Sequence, residues 1–250
     1  MRKQAKFIAV LACSLMLGGS VPQAHAGLFS VSPDKERKMG DSAAKEIESS
    51  AKIVTGPVAD WVQSVGQRLV AQSDGEFKYS FKVIDSPEIN AVALPGGHIY
   101  IFTGIRKIAR TDDELAAVLA HEITHAEQHH YARQYSKASK RGALLGVLGA
   151  VVGLPSVAAQ AVGLADFYAT QRYSRVLETE ADKMGLTRMA KAGFNPQGMV
   201  TLLENMDKEQ KRGGSLNTWF ASHPDAPKRL GDVKTLMPQA TALVPKSATP

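Results

Sequence analysis

The stretch Leu115–His129, LAAVLAHEITHAEQH, decides the fold, because it combines a buried helix pattern with two histidines four residues apart. His121 and His125 lie one above the other on one face of a helix, about 6 Å apart along its axis. At that offset both imidazoles can reach one Zn²⁺ at about 2.0–2.1 Å. Glu122 lies beside the metal, where it can take a proton from a water that the metal activates. The stretch therefore predicts a zinc site.

The surroundings of this motif distinguish a zinc site from an exposed helical turn that carries the same letters by chance. Residues 115–120 are all apolar, so the helix has almost no polar face before the motif and is expected to be buried. Buried histidine and glutamate side chains need partners, and a metal supplies them. Thr111 and Glu114 form a capping-box pattern, which predicts where the helix begins.

A catalytic zinc site needs a third protein ligand, and Glu178 is the candidate. Glu178 and Asp182 are four residues apart, hence on one face of a helix predicted over residues 166–192. We expect Glu178 to bind the metal and Asp182 to accept the second N–H of a ligating histidine. Glu180 points away from this face. An exposed acidic patch is the alternative, and the presence of the two-histidine motif favours the ligand.

Residues 90–103, NAVALPGGHIYIFT, have the pattern of a β-hairpin with Pro-Gly-Gly at its turn. The hairpin can serve core packing alone. The functional alternative is that residues 98–102 form an edge strand beside the zinc, to which an extended peptide adds as a further strand. His98 is expected to be an exposed strand residue and not a ligand. Apolar and polar residues alternate over residues 79–83, which predicts another, half-buried strand.

Two more histidines, His129 and His130, follow the motif directly. His129 is eight residues after His121, about 12 Å along a helix axis. The two therefore cannot share a zinc that also binds His125. We expect both to be surface histidines.

Residues 1–26 have the pattern of a secretory signal peptide. Arg2, Lys3 and Lys6 form a basic start, residues 7–17 are apolar, and Ala24-His25-Ala26 is an A-x-A cleavage pattern. The apolar run is shorter than the ~20 residues that a spanning helix needs. Lipidation at Cys13 is a weaker alternative. We expect cleavage after Ala26 and an exported, periplasmic protein.

Composition narrows the class of protein. About 224 residues remain after cleavage, enough for one sizeable core. The formal net charge of the full chain is +6, and loss of the three basic residues near the start leaves +3, too little to indicate nucleic-acid binding. The single cysteine, Cys13, lies in the signal segment, so disulfides and cysteine metal sites are not expected. Any zinc must be bound by histidine and carboxylate.

Residues 142–165 carry no charge, which raises the question of a transmembrane helix. Pro155 divides the segment into two pieces of ~18 Å each as helix, too short to span. A single crossing would also place the two halves of the metal site on opposite sides of the membrane. We therefore predict an apolar helical hairpin that covers the site and contacts a membrane surface or a partner.

The rest of the chain is predicted to be mostly helical. Helices are expected over residues 33–50, after a Ser-Pro start, over 57–71, and from Asn195-Pro196 to about 211. His223 precedes a proline-led helix and has Arg229 six residues later, which by itself indicates only a cap region. Residues 238–250 are expected to be disordered. The fold prediction is α+β, mostly helical, with one domain over residues 27–237.

Four motifs together resemble one family. NAVALPGGHIYIFTG, HEITH, ETEAD and SHPDAPKR occur in the order seen in the CAAX-endopeptidase-like gluzincins of the HtpX/Oma/BepA/LoiP type, and the chain is similar to their soluble periplasmic branch over residues 35–236. The resemblance implies a mostly helical zincin fold with a small sheet. It implies one Zn²⁺ per chain and roles for the matching residues: zinc ligands His121, His125 and Glu178, base Glu122, and supporting residue Asp182. It also implies that His223 can occupy the open zinc position and hold the enzyme latent.

The function that follows is a zinc metalloendopeptidase of the bacterial cell envelope. Its substrates would be misfolded or stalled envelope and outer-membrane proteins, and the outer-membrane assembly machinery is a candidate partner. A rival function is a periplasmic chaperone or assembly factor with a structural or latent zinc. Glu122 argues against the rival, because a structural site needs no base. His223 has an alternative role too, as a hydrogen-bond donor to the transition state.

Overall fold

The computed structural model describes residues 31–73, 75–136, 173–212, 223 and 226–246. The main helices and strands in this part of the chain are α1 (Pro33–Ser50), β1 (Ile53–Val54), α2 (Pro57–Val70), β2 (Ser80–Ile84), β3 (Ala91–Leu94), β4 (His98–Phe102), α3 (Asp112–Glu127), α4 (Arg175–Lys191), α5 (Gln197–Lys211) and α6 (Ala226–Thr241). Residues 130–136 are also helical. The predicted mostly helical α+β fold with a small sheet is confirmed.

Helix α3 is the central element, and every residue from Glu114 to Ala126 is buried. Its start follows the capping box that the sequence predicts: the Thr111 hydroxyl accepts a hydrogen bond from the Glu114 N–H, and the Glu114 carboxylate accepts one from the Thr111 N–H. Each buried leucine, isoleucine or valine on α3 contributes about 1.5–3 kcal/mol. The apolar run before the motif thus places the motif inside the protein.

The sheet has the strand order β1-β2-β4-β3. Strands β3 and β4 are antiparallel and form the predicted hairpin, while β2 and β4 are parallel. Gly96 and Gly97 in the turn have φ values of 78° and 94°. Glycine adopts this left-handed backbone without a steric penalty, which is why the turn contains two glycines.

The prediction that residues 98–102 form an edge strand is wrong. Strand β4 lies between β2 and β3, so the edge strand of the hairpin is β3. Ile99, Tyr100 and Ile101 are buried in succession, as expected for a strand that is covered on both faces. Strand β3 packs against α3, so this edge of the sheet lies beside the central helix.

Helix α4 packs against α3 and brings a second set of polar side chains to it. The contact is close at Gly185, where an added Cβ would lie 3.2 Å from the backbone of Ala120 and His121. A larger residue at position 185 would push the helices apart. Helices α2 and α5 also pack against α3, α6 packs against α4 and α5, and α1 packs on the turn between β3 and β4.

Two boundaries differ from the sequence predictions. Helix α4 begins at Arg175 and not near residue 166, because Ser174 has extended backbone angles and forms its N-cap. Helix α6 ends at Thr241 with Pro238 inside it, so residues 238–241 are helical where the sequence predicts a disordered tail. Pro238 removes one backbone donor, and the helix ends within its next turn.

Two other predictions concern residues that the structure does not describe. The signal peptide over residues 1–26 and the apolar hairpin over residues 142–165 both lie outside the described ranges. Within those ranges, no helix has both the length and the apolar character that crossing a membrane requires.

Candidate metal centre

Four buried side chains from three parts of the chain meet at the centre of the fold. They are His121 and His125 on α3, Glu178 on α4, and His223 shortly before α6, and one ligand atom of each lies within 4.8 Å of all the others. Each of these residues is at most 2% exposed. Their convergence explains how a polar cluster can be buried, because a metal ion would partner all four at once.

The separations between these atoms fit a tetrahedral zinc site. Nε2 of His121 lies 3.0 Å from Nε2 of His125 and 3.2 Å from Nδ1 of His223. Oε1 of Glu178 lies 3.3 Å from Nε2 of His125 and 3.2 Å from Nδ1 of His223. Ligands at about 2.0–2.1 Å from a tetrahedral Zn²⁺ lie about 3.3 Å from one another. Nitrogen and carboxylate donors are also ligand types that zinc takes.

Asp182 lies one helical turn after Glu178 and contacts His121. Its Oδ1 lies 2.9 Å from Nδ1 of His121. An imidazole that donates its Nδ1–H to a carboxylate keeps Nε2 free as a ligand atom. Asp182 thus contacts the His121 nitrogen that faces away from the cluster, which is consistent with its expected supporting role, and that role stays a prediction.

Arg229 on α6 is a further buried member of the site, to which the sequence analysis gives no role. Its Nε and Nη2 each lie 2.7 Å from a carboxylate oxygen of Asp182, and its Nη1 lies 2.9 Å from Oε2 of Glu178. The sequence does contain one indication of a buried cation, which is the acidic pair Glu178 and Asp182. Two carboxylates on one buried helix face need a cation as well as a metal.

The charges of these groups shift their pKa values strongly. Burial alone would raise the pKa of Asp182, but Arg229 and the hydrogen bond from His121 outweigh it and lower the pKa to about 2. Burial also opposes ionisation of Glu178, yet His223 and Arg229 hold its pKa well below the ordinary value. Both carboxyl groups are therefore ionised at neutral pH and favour a cation at the cluster centre.

Arg229→Met is expected to destabilise the zinc-free protein by about 3–5 kcal/mol, because it leaves two buried carboxylates without their cation. The measurement is a denaturant midpoint in the presence of a chelator. Lys228→Met is the matched control: Lys228 pairs with Asp232 on the same helix, but its side chain is 63% exposed. An exposed pair of this kind contributes about 0–1 kcal/mol. Equal midpoints for the two variants would contradict the role of Arg229.

His130 is completely buried, so the prediction of two surface histidines is wrong for it. Its Nδ1 lies 2.8 Å from Nδ1 of His125. On the other side, its Nε2 lies 3.3 Å from Oε2 of Glu180. Burial lowers the pKa of His130 to about 4, so its imidazole is neutral at neutral pH and can accept a hydrogen bond. His129 is half-buried and contacts Glu36 instead.

An aromatic side chain also borders the cluster. The ring of Tyr173, just before α4, is stacked on the ring of His125 with a centroid distance of 3.9 Å and an interplanar angle of 18°. The sequence analysis assigns no role to this residue. One face of the His125 ring is thereby covered.

Of the two remaining residues that the sequence analysis considers, Glu122 lies next to the cluster and His98 lies outside it. Glu122 is 1% exposed, and its Oε1 lies 3.4 Å from Nε2 of His223, so the base candidate is next to the cluster. His98 is not part of the cluster, as predicted. It is only partly exposed, with a hydrogen bond to Asp41 at 2.8 Å and one to Ser80 at 3.1 Å.

Comparison with known proteins agrees with this geometry. Residues 58–237 match Peptidase family M48. The chain is 32% identical to "Mitochondrial metalloendopeptidase OMA1" of Schizosaccharomyces pombe over 84% of this chain and 63% of that protein. It is 28% identical to "Beta-barrel assembly-enhancing protease" of Escherichia coli (strain K12) over 86% of this chain and 46% of that protein. It is also 36% identical to the Saccharomyces cerevisiae protein "Mitochondrial metalloendopeptidase OMA1", over 68% and 50% of the two chains.

The chain spans about half to just under two thirds of the length of these relatives. The family match nevertheless covers most of the chain and includes α3 and α4. It confirms the resemblance inferred from the four motifs, and the donor cluster fits zinc, the metal that the sequence analysis expects. The chain belongs to peptidase family M48.

Proposed function

We propose that this protein is a zinc-dependent endopeptidase of the bacterial cell envelope, which hydrolyses misfolded or stalled envelope and outer-membrane proteins. The observation that carries the proposal is the buried carboxylate of Glu122 beside a cluster of donors suited to zinc. A metal site that serves stability alone needs the donors but has no use for a base next to them.

Each residue has one role in the proposed hydrolysis. Zn²⁺, when bound by His121, His125 and Glu178, would polarise the scissile carbonyl and lower the pKa of a water. The carboxylate of Glu122 takes the proton from the attacking water and passes it to the leaving amine. Asp182 holds His121 in the tautomer whose Nε2 faces the cluster.

The edge strand β3 is the proposed docking site for the substrate backbone. It packs against α3 and pairs with β4 on one side, and no other described strand pairs with it. An extended peptide that adds to such an edge gains main-chain hydrogen bonds that do not depend on its sequence. This mode suits unfolded polypeptides, because a folded chain offers few extended segments.

The envelope location rests on two supports. The pattern of residues 1–26 is that of an export signal. Relatives at 28% identity are named "Beta-barrel assembly-enhancing protease", which suggests outer-membrane proteins as substrates and their assembly machinery as a partner. Other relatives are named "Mitochondrial metalloendopeptidase OMA1". The export pattern of residues 1–26 favours the periplasm for this chain.

The proposal predicts cleavage of an outer-membrane β-barrel protein in its unfolded form. The experiment incubates the full chain with the same barrel protein either freshly diluted from urea or folded in detergent, and follows intact substrate with time. The unfolded form should disappear and the folded form should persist, with Glu122→Gln as the blank. Equal rates for the two forms would contradict a role in quality control.

A chaperone or assembly factor with a latent or structural zinc is the second candidate. It is favoured by one observation: His223 supplies a fourth protein ligand atom, and structural zinc sites have four protein ligands. In that case the unfolded barrel protein should remain intact and its assembly should be unaffected by Glu122→Gln. Either result separates the two candidates.

A further inference from the structure

The chain turns sharply directly after α3. Helix α3 ends at Glu127, and residues 130–136 are helical again. Between them, His129 has a φ of 51°, the one non-glycine residue with a left-handed backbone in the described ranges. Such a backbone costs about 1–2 kcal/mol for a residue with a side chain. A conformation of this kind persists only where surrounding contacts enforce it, and it is concentrated at functional sites.

Contacts from another helix hold this turn. Nδ1 of His129 lies 2.7 Å from Oε2 of Glu36 on α1, and the Glu36 side chain is 1% exposed. The ring of Phe77 meets the His129 ring edge-on at a centroid distance of 5.2 Å. The backbone carbonyl of His129 then accepts the hydrogen bond of Arg133 N at 2.9 Å, which opens the next helical segment.

The turn determines where the next side chain lies. In an uninterrupted helix, a residue five positions after His125 would be rotated by about 140° from it and could not reach its imidazole. Because the chain turns at His129, Nδ1 of His130 instead lies 2.8 Å from Nδ1 of His125. The strained residue thus produces a contact that regular helix geometry forbids.

The contact involves Nδ1 of His125, the ring nitrogen that faces away from the cluster. A histidine that binds a metal through Nε2 needs a hydrogen-bond acceptor for its Nδ1–H. Nε2 of His125 faces the cluster, 3.0 Å from Nε2 of His121 and 3.3 Å from Oε1 of Glu178. The ring proton of a neutral His125 is then on Nδ1, and Nδ1 of His130 is its acceptor. Tyr173 covers one face of the same ring. The rotation and the plane of the imidazole are therefore both fixed.

We propose that His130 is a positioning residue for His125: it accepts the Nδ1–H and so keeps Nε2 directed at the metal, and the left-handed turn at His129 exists to place it there. The carboxylate of Asp182 has the corresponding position at His121, where it can accept the Nδ1–H. The inference rests on the zinc centre described above. Supporting hydrogen bonds of this kind change metal affinity by about 10–100-fold when they are removed.

The test compares two variants of nearly the same shape. His130→Asn retains an acceptor oxygen close to the position of Nδ1, whereas His130→Leu has no acceptor. Zinc affinity is measured on the full chain by competition with a chromogenic chelator, a readout that needs no peptidase activity. We expect His130→Leu to bind zinc about 10–100-fold more weakly than the wild type and His130→Asn to recover most of the loss.

His98→Leu is the matched control, because His98 is a partly buried histidine whose hydrogen bonds lie outside the cluster. It should bind zinc as the wild type does. The proposal would be overturned if His130→Leu bound zinc with wild-type affinity, or if the Asn and Leu variants lost zinc affinity equally. If His130→Leu does not fold, His130→Ala replaces it in the comparison. A wild-type protein that binds no zinc would instead contradict the metal centre itself, so the two failures are distinguishable.

Discussion

Glu122→Gln is expected to keep zinc bound while peptide hydrolysis falls by about 10²–10⁴-fold, the usual contribution of a general base. Glutamine has the size of glutamate and can keep the buried position next to His223. It cannot accept a proton from water at neutral pH. The measurement is casein cleavage by purified wild type and variant, with the zinc content of both determined by elemental analysis.

Glu178→Ala provides the contrasting result. The carboxylate of Glu178 lies among the nitrogen atoms of the cluster, and its removal takes away the third ligand. This variant should lose zinc and activity together, whereas Glu122→Gln should lose activity alone. Alanine at His121 or His125 should behave like Glu178→Ala. Full zinc occupancy in Glu178→Ala would contradict its assignment as ligand, and wild-type turnover in Glu122→Gln would contradict the base.

The features that could be predicted from sequence are those set by local spacing. The apolar run over residues 115–120 and the capping box at Thr111 give α3, its start and its burial, because helix periodicity relates sequence distance to position on a face. The pair Glu178 and Asp182 is local in the same sense. Once a buried HExxH motif is given, the need for a third ligand identifies a partner on a distant helix.

The features that could not be predicted depend on contacts between distant parts of the chain. His130 is wrongly expected on the surface because helix extrapolation assumes that the helix continues, and the turn at His129 is held by Glu36 on another helix. The position of β4 inside the sheet depends on its parallel pairing with β2, which no local pattern specifies. The acidic pair indicates that a buried cation is needed, but Arg229 is identified as that cation only when α6 is placed against α4.

The position of His223 in the cluster bears on whether the proposed hydrolysis is restrained. Its Nδ1 lies 3.2 Å from Nε2 of His121, and its Nε2 lies 3.4 Å from Oε1 of Glu122, the proposed base. A neutral imidazole at this position is a good zinc ligand and would take the place needed by the water. The geometry thus supports the proposal of a latch, in which His223 must leave before a substrate is cleaved.

His223→Ala distinguishes the latch from a donor to the transition state, because the two roles predict opposite signs. A latch that is closed for about 90–99% of the time lowers basal turnover by about 10–100-fold, so the substitution should raise casein cleavage and self-cleavage by that factor. A donor of this type contributes about 10²–10³-fold, so its loss should lower turnover while zinc stays bound. We expect the rise, since the ring lies among the ligand atoms themselves and its Nε2 lies 3.4 Å from Oε1 of Glu122. Zinc content is measured on the same samples, because a fall in turnover with zinc retained would assign His223 to the donor role instead.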